Sequence, residues 1–251
     1  MSTLVLEDVA KSFGGVHAIS KIDLAVPPGR VTGLIGPNGA GKTTVVNMIT
    51  GLLKLTRGRI RLDDQDLTVA PPHRVARAGV ARTFQNIRLL PKASVVDNIV
   101  VGFHQHEKAT LIESLLGLPR PRREEAMFVE RARALVGRFN MARYADRPAG
   151  ELAYGDQRRV EIMRALVSEP RVLLLDEPVA GMNDVEADRI GEIIAGLTAQ
   201  NIGILLIEHN IRFVSKLCAE IVVLAEGHVI ASGPPQTVMR DPSVMSAYLG
   251  A

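Results

Sequence analysis

Gly36-Pro-Asn-Gly-Ala-Gly-Lys-Thr-Thr44 decides how the rest of the chain is read. It satisfies the pattern G-x-x-x-x-G-K-[ST], and the flanks agree with it. The apolar run Val31–Ile35 reads as a strand leading in, and Val45, Val46, Met48 and Ile49 mark one side of a helix leading out. Gly36, Gly39 and Gly41 let the backbone turn tightly and aim its N–H groups at an anion. The helix N-terminus adds about half a positive charge directed at the same point. Lys42 supplies a point charge for the β- and γ-phosphates of a nucleotide, and the Thr43 hydroxyl suits a Mg²⁺ ion. The stretch predicts a triphosphate cradle between a strand and a helix.

Val172-Leu-Leu-Leu-Asp-Glu177 is the second decisive stretch. It reads as a buried strand ending in two acids, and ligands bind outside the carboxyl ends of parallel strands. Neighbouring strand residues face opposite ways, so the two acids take different roles. Asp176 is the candidate metal ligand, and Glu177 the candidate to orient the water that attacks a γ-phosphate.

Outward from these stretches, β patterns recur at Leu4–Val9, Ile22–Val26, Gly58–Leu62, Ile204–Ile207, Ile221–Leu224 and His228–Ala231. Helical patterns lie between them at Lys42–Leu52, Val95–Phe103, Arg123–Phe139, Gln157–Val167, Val185–Gln200 and Ile211–Leu217. Several strands are continuously apolar, as in sheets covered on both faces, so the class is α/β with a mostly parallel sheet. From about Gln85 to Glu161 no strand pattern occurs. Residues 85–160 are therefore read as a helical insert within a core formed by residues 1–84 and 161–251. Leu118-Pro-Arg-Pro-Arg-Arg reads as a surface connection.

Composition narrows the classes. The chain has 251 residues, 47% hydrophobic and 23% charged, which excludes a mostly disordered polypeptide. Lysine plus arginine exceed the acids only by 30 to 27, too small an excess to establish a polyanion partner. The arginines between Arg120 and Arg138 are interleaved with Glu124, Glu125 and Glu130, a solvated helix face rather than a nucleic-acid surface. One cysteine, Cys218, excludes an intrachain disulfide framework and reads as a small core residue. No apolar run reaches the 18 or so residues of a membrane span, and the N-terminus lacks a signal-peptide pattern. His104-x-His106 has metal-like spacing, but no acid triad or cysteine accompanies it, so a solvated patch is expected.

With both sites read, the chain resembles the ATP-binding subunits of ABC transporters along nearly its full length. Phe13 stands where that family stacks an aromatic ring on adenine. The resemblance implies ATP in the loop of Gly36, Pro37, Asn38, Gly39, Ala40, Gly41, Lys42, Thr43 and Thr44, with Mg²⁺ at Thr43, Asp176 and Gln85. Gln85, in Thr83-Phe-Gln-Asn86, matches the glutamine loop, and His209 the switch histidine that holds the γ-phosphate. Leu152-Ala-Tyr-Gly-Asp-Gln157 occupies the signature, which caps the partner subunit's ATP, and Ala180-Gly-Met-Asn183 the loop joining the two nucleotide sites.

Phe84-Gln-Asn-Ile-Arg-Leu-Leu-Pro, Val96-Asp-Asn-Ile-Val-Val-Gly-Phe-His, Ile207-Glu-His-Asn and the ending Ala247-Tyr-Leu-Gly look like the branched-chain amino acid uptake subfamily. Urea, amide and other small-solute importers are similar. The resemblance implies a P-loop NTPase core with an N-terminal antiparallel β portion and a helical insert. It also implies a second ATPase subunit, two membrane permeases, a solute-binding protein and a place on the cytoplasmic face of the inner membrane.

The signature departs from Leu-Ser-Gly-Gly-Gln at Ala153, Tyr154 and Asp156. Asp156 reads either as an acid at a helix start facing away from ATP or as a charge that weakens ATP-driven closure. Asn183 replaces a more usual aspartate. A repair-type ATPase lacks support because neither a long coiled coil nor a zinc insert is present, and a GTPase because no Asn-Lys-x-Asp follows the loop.

Overall fold

The computed structural model describes residues 3–83, 87–107, 113 and 118–249. The chain forms two units, Met1–Gln85 with Arg171–Ala251, and Asn86–Pro170.

The first unit is built on one sheet. β1 (Leu4–Phe13) and β2 (Val16–Val26) form an antiparallel hairpin around Gly14 and Gly15, and β1 pairs on its other edge with β4 (Arg57–Leu62), followed by β5 (Gln65–Asp66). The parallel part contains β3 (Val31–Ile35), β6 (Val80–Arg82), β7 (Val172–Asp176), β8 (Gly203–Ile207) and β9 (Glu220–Ala225). β10 (His228–Gly233) pairs antiparallel with β9 and joins the hairpin through a bridge between His228 and Lys21. The order is β5-β4-β1-β2-β10-β9-β3-β8-β7-β6. Every residue of β3, β7 and β8 is buried, which accounts for their mostly apolar sequences, broken only by Thr32 and the terminal Asp176.

Register sets the site. Leu34 pairs with Ile207, and Ile207 with Asp176, so the chain leaves β3, β7 and β8 at the same level of the same edge. Gly36, Glu177 and Glu208 begin the three departing segments. α1 (Lys42–Ile49) follows β3 and buries Val45, Val46, Met48 and Ile49. α2 (Pro72–Arg77) precedes β6.

The hairpin strands run further than their apolar patterns suggest, because their outer residues are half-exposed. β6 has no sequence counterpart among the expected strands. It is three residues long, and its pairing with β7 rather than its own pattern makes it a strand. Cys218 is a core residue, as expected. Its Sγ would lie 3.0 Å from a Cβ at Gly33, and burial pushes the thiol pKa up to about 12.

In the second unit, α3 (Val95–Val100) opens with a capping box in which Ser94 and Asp97 exchange bonds. It runs into a 3₁₀ turn, Val101–His106. Val95, Val96, Ile99 and Phe103 face the core of this unit, where Phe103 stacks on Phe128 at 4.7 Å. α4 (Pro119–Arg138) begins at Pro119, so the proline-rich stretch starts a helix instead of forming a connection. Proline suits a first helical position because its missing N–H has no partner there anyway. α5 (Tyr154–Leu166) follows. Among the described residues this unit holds no strand, only a bridge between Ser94 and Pro148. His104 and His106 sit in the 3₁₀ turn, with His104 Nδ1 3.0 Å from Glu107.

An ion pair lies inside this unit. Arg158 and Glu161, both on α5, have side chains 0% and 1% exposed and bond at 2.6 Å. Removing one partner of such a pair strands the other charge in the core. Glu161→Ala should therefore cost about 3–5 kcal/mol of stability, read as a lowered urea midpoint with an unchanged slope.

Candidate functional site

The loop of residues 36–44, read as the phosphate cradle, is held from both sides by packing that leaves no room for side chains at Gly36 and Gly41. Gly36 has φ 149°, and a Cβ there would fall 2.0 Å from the Leu224 carbonyl oxygen of β9. Gly41, at φ 106°, would meet Ile19 Cδ1 at 2.5 Å and Ala18 O at 2.9 Å. The hairpin and β9 thus press the loop into one shape. The Gly227 N–H donates to Ala40 O at 3.1 Å and fixes its middle.

Lys42 opens α1 and is 8% exposed. Its ammonium donates to the carbonyls of Gly36 at 2.7 Å and Pro37 at 3.0 Å, folding the side chain back along the loop. Burial lowers its pKa, and the Glu177 and Asp176 carboxylates oppose that shift. Residues Asn38–Thr44, Asp176, Glu177 and Ile207 line a cleft of about 270 Å³, so the loop and both acids share one cavity.

The two acids are presented differently. Asp176 ends β7, nearly buried, and its Oδ2 accepts from Arg82 at 2.8 Å. The other arm of that guanidinium donates to Asn47 Oδ1 on α1 at 2.7 Å. Arg82 thus ties the acid to the helix that carries Lys42 and Thr43. Glu177 sits at φ 47°, a left-handed conformation unusual for a side-chain-bearing residue, and its N–H donates to Ile207 O at 2.9 Å. This kink turns the chain sharply after the strand, with Glu177 in the cleft and the Pro178–Asn183 turn beyond it.

His209 follows β8 and is 60% exposed. Its Nδ1 lies 3.8 Å from Glu177 Oε1 and 3.8 Å from Glu208 Oε2. Ala180, Gly181 and Met182 form a turn in which the N–H of Met182 donates to Val179 O. Asn183 caps α6 (Asp184–Thr198) in a box with Glu186, a function that asparagine serves as well as aspartate. Phe13 closes β1 with its ring 49% exposed and the Lys11 ammonium 4.7 Å from the ring centre. Gln85 lies outside the described residues.

Residues 152–157, read as the signature, belong to the second unit. Leu152 is buried, and Ala153 stands at the N-cap of α5 with no side-chain bond to the helix. Tyr154, Gly155, Asp156 and Gln157 form its first turn, three residues earlier than the sequence pattern suggested. Gln157 Nε2 donates back to Leu152 O at 2.9 Å. The Asp156 carboxylate accepts from Arg159 at 2.8 Å, so a cation on the same helix offsets its charge. The Tyr154 hydroxyl lies 3.4 Å from an arm of the buried Arg158.

Arg82, Asn47 and Glu208 were not read as site residues in the sequence. Arg82 carried no signal because its strand is too short to see. The apolar run before Glu208 hid a buried acid behind what reads as an ordinary strand end.

The ABC transporter family pattern matches residues 19–180, and a pattern for the branched-chain amino acid ATP-binding cassette transporter matches residues 228–251. The chain is 42% identical to the Pseudomonas aeruginosa high-affinity branched-chain amino acid transport ATP-binding protein BraF, covering 100% of this chain and 99% of that one. It is 44% identical to LivG, the corresponding protein of Escherichia coli, over 95% of this chain and 94% of that one. A crystal structure of a nucleotide-free ATP-binding cassette from an ABC transporter superposes over 100% of both chains, with a TM-score of 0.87 and 33% identity. The cradle, the paired acids and this full-length likeness agree: the chain belongs to the ABC transporter ATP-binding proteins, of the branched-chain amino acid (LivG/BraF) type.

Proposed function

We propose that this subunit hydrolyses ATP to drive the import of branched-chain or other hydrophobic amino acids through two partner permeases fed by a solute-binding protein. The observation that carries the reading is the single cleft shared by the phosphate loop, Asp176 and Glu177, in a chain related over its whole length to BraF. No described helix is long and apolar enough to cross a membrane. In this reading the permeases supply the path and hold the subunit at the cytoplasmic face.

In this reading the N–H groups of the loop and Lys42 grip the β- and γ-phosphates, and Phe13 offers a ring face to adenine. The donors present suit Mg²⁺: the Thr43 hydroxyl and the Asp176 carboxylate are hard oxygen ligands. Thr43 and Asp176 would hold the ion, and Gln85 would serve as a further oxygen ligand. When bound, the ion neutralises charge on the β- and γ-phosphate oxygens.

Glu177 orients the attacking water and accepts its proton. The new bond joins that water oxygen to the γ-phosphorus as the β–γ bridge breaks, giving ADP and inorganic phosphate. His209 holds the γ-phosphate edge. The signature, residues 152–157, caps the ATP of a second ATPase subunit, with the Gly155 amide and the start of α5 as anion donors in place of the missing serine. Ala180–Asn183 joins the two sites. ATP binding closes the pair, hydrolysis reopens it, and the helical unit passes the motion to the permeases.

Purifying the chain from cells with its partners and reconstituting the complex in vesicles tests this. Addition of binding protein loaded with leucine, isoleucine or valine should raise ATP hydrolysis several-fold over the unloaded protein. Equal stimulation by urea or an amide, with none by the amino acids, would reassign the solute.

A further inference from the structure

Glu208 is the most buried acid beside the cleft and has no part in the mechanism above. Its side chain is 0% exposed. Such a carboxylate is costly to bury unless its oxygens are satisfied. Here backbone N–H groups from two loops do this. Oε1 accepts from Val179 at 3.1 Å, and Oε2 accepts from His209 at 3.0 Å and from Asn210 at 3.3 Å. Val179 lies in the turn just after Glu177, immediately before the 180–183 loop. His209 and Asn210 lie in the turn after β8, where Asn210 Oδ1 caps α7 (Ile211–Leu217) by accepting from Phe213 N–H. A single carboxylate thus clamps both turns.

A neutral amide cannot replace it. Its oxygen can satisfy one side, but its NH₂ would face another N–H. A one-carbon-shorter acid cannot span the same gap. The anion is the one common side-chain group that accepts from both directions at this reach. The His209 ring hangs beside the clamp, its Nδ1 3.8 Å from both Glu208 and Glu177.

We propose that Glu208 is a positioning residue that fixes Glu177 and His209 in register and makes the 178–183 turn and the histidine move together. The proposal rests on the ATPase reading and adds how the site is regulated. The loop that answers to the partner subunit is fastened to the residue that meets the γ-phosphate. Either can respond to the other through two short hydrogen-bonded links rather than through the sheet.

The test is a set of variants on the full chain with its partner subunits. Glu208→Gln should lower kcat on the order of 10–100-fold, as displacement of catalytic groups by a fraction of an ångström to an ångström does, and leave the Kd for ATP within twofold. The same substitution added to His209→Ala should cost clearly less than the product of the two single losses, because part of its effect acts through His209. Independent, multiplying losses, a wild-type kcat, or a fall in kcat matched by an equal loss of ATP binding would overturn the proposal. Hydrogen exchange on the unaltered protein gives a second arm that does not depend on a variant folding. The Val179 and His209 amides should be protected to a similar degree and change together when ATP binds. Fast exchange at either one would overturn the clamp. Failure of the wild-type protein to bind or hydrolyse ATP would instead refute the ATPase reading and leave the clamp intact.

Discussion

Glu177→Gln should leave ATP binding intact and cut hydrolysis by ~10²–10⁴-fold, the range over which a positioned general base acts. The substitution keeps the size and the left-handed backbone of the residue, since glutamine occupies φ 47° no less easily than glutamate. It removes the acceptor strength that draws a proton from water. With binding preserved and hydrolysis stopped, two subunits closed on ATP have no route to reopen. An ATP-dependent dimer should therefore accumulate on gel filtration and disperse only as nucleotide dissociates. Removing the Glu177 charge also removes one of the two carboxylates that hold up the Lys42 pKa, so the cation should titrate earlier in this variant. Turnover near that of the unaltered protein would remove Glu177 from its role.

The parts of this site that the sequence made legible are those built by adjacent residues. The cradle is nine consecutive residues whose glycines, lysine and threonine each have a local reason, and the acids follow one apolar strand. Buried parallel strands advertise themselves as dense apolar runs, so β3, β7 and β8 were visible. What stayed hidden depends on several segments meeting. Arg82 matters because β6 lies against β7 and α1 passes nearby, and its partners Asn47 and Asp176 stand 35 and 94 residues away in sequence. The Glu208 clamp needs two turns 29 residues apart to approach each other. The requirement for glycine at position 36 was foreseen as a matter of turning, whereas its structural cause is the carbonyl of Leu224, brought there by the sheet order. Asp156 alone invited two opposed readings, and its ion pair with Arg159, three residues on, favours the one in which its charge is spent within α5.

Lys42→Ala should weaken ATP binding by about 10–150-fold, the equivalent of the ~1.5–3 kcal/mol typical of a hydrogen bond to a charged group, with the loss measured by calorimetry. An ammonium has three donors, and here two are turned to Gly36 O and Pro37 O, which leaves the third for a phosphate oxygen. The same burial that focuses this charge also gives the site a pH signature. In the ligand-free chain the Lys42 pKa is lowered by desolvation, so between that value and the ordinary lysine value the unfolded chain binds more protons than the folded one. Stability of the free protein therefore rises with pH across that window. ATP binding has the opposite sign. The phosphates favour the cation, so binding draws in a proton wherever Lys42 is partly neutral, and affinity falls as pH rises, by at most tenfold per pH unit. Lys42→Ala should lose both slopes, and Lys42→Arg should lose them too, because arginine stays charged throughout that range. An alkaline limb that survives in the alanine variant would assign the proton to another group and remove Lys42 as the cation that grips the phosphates.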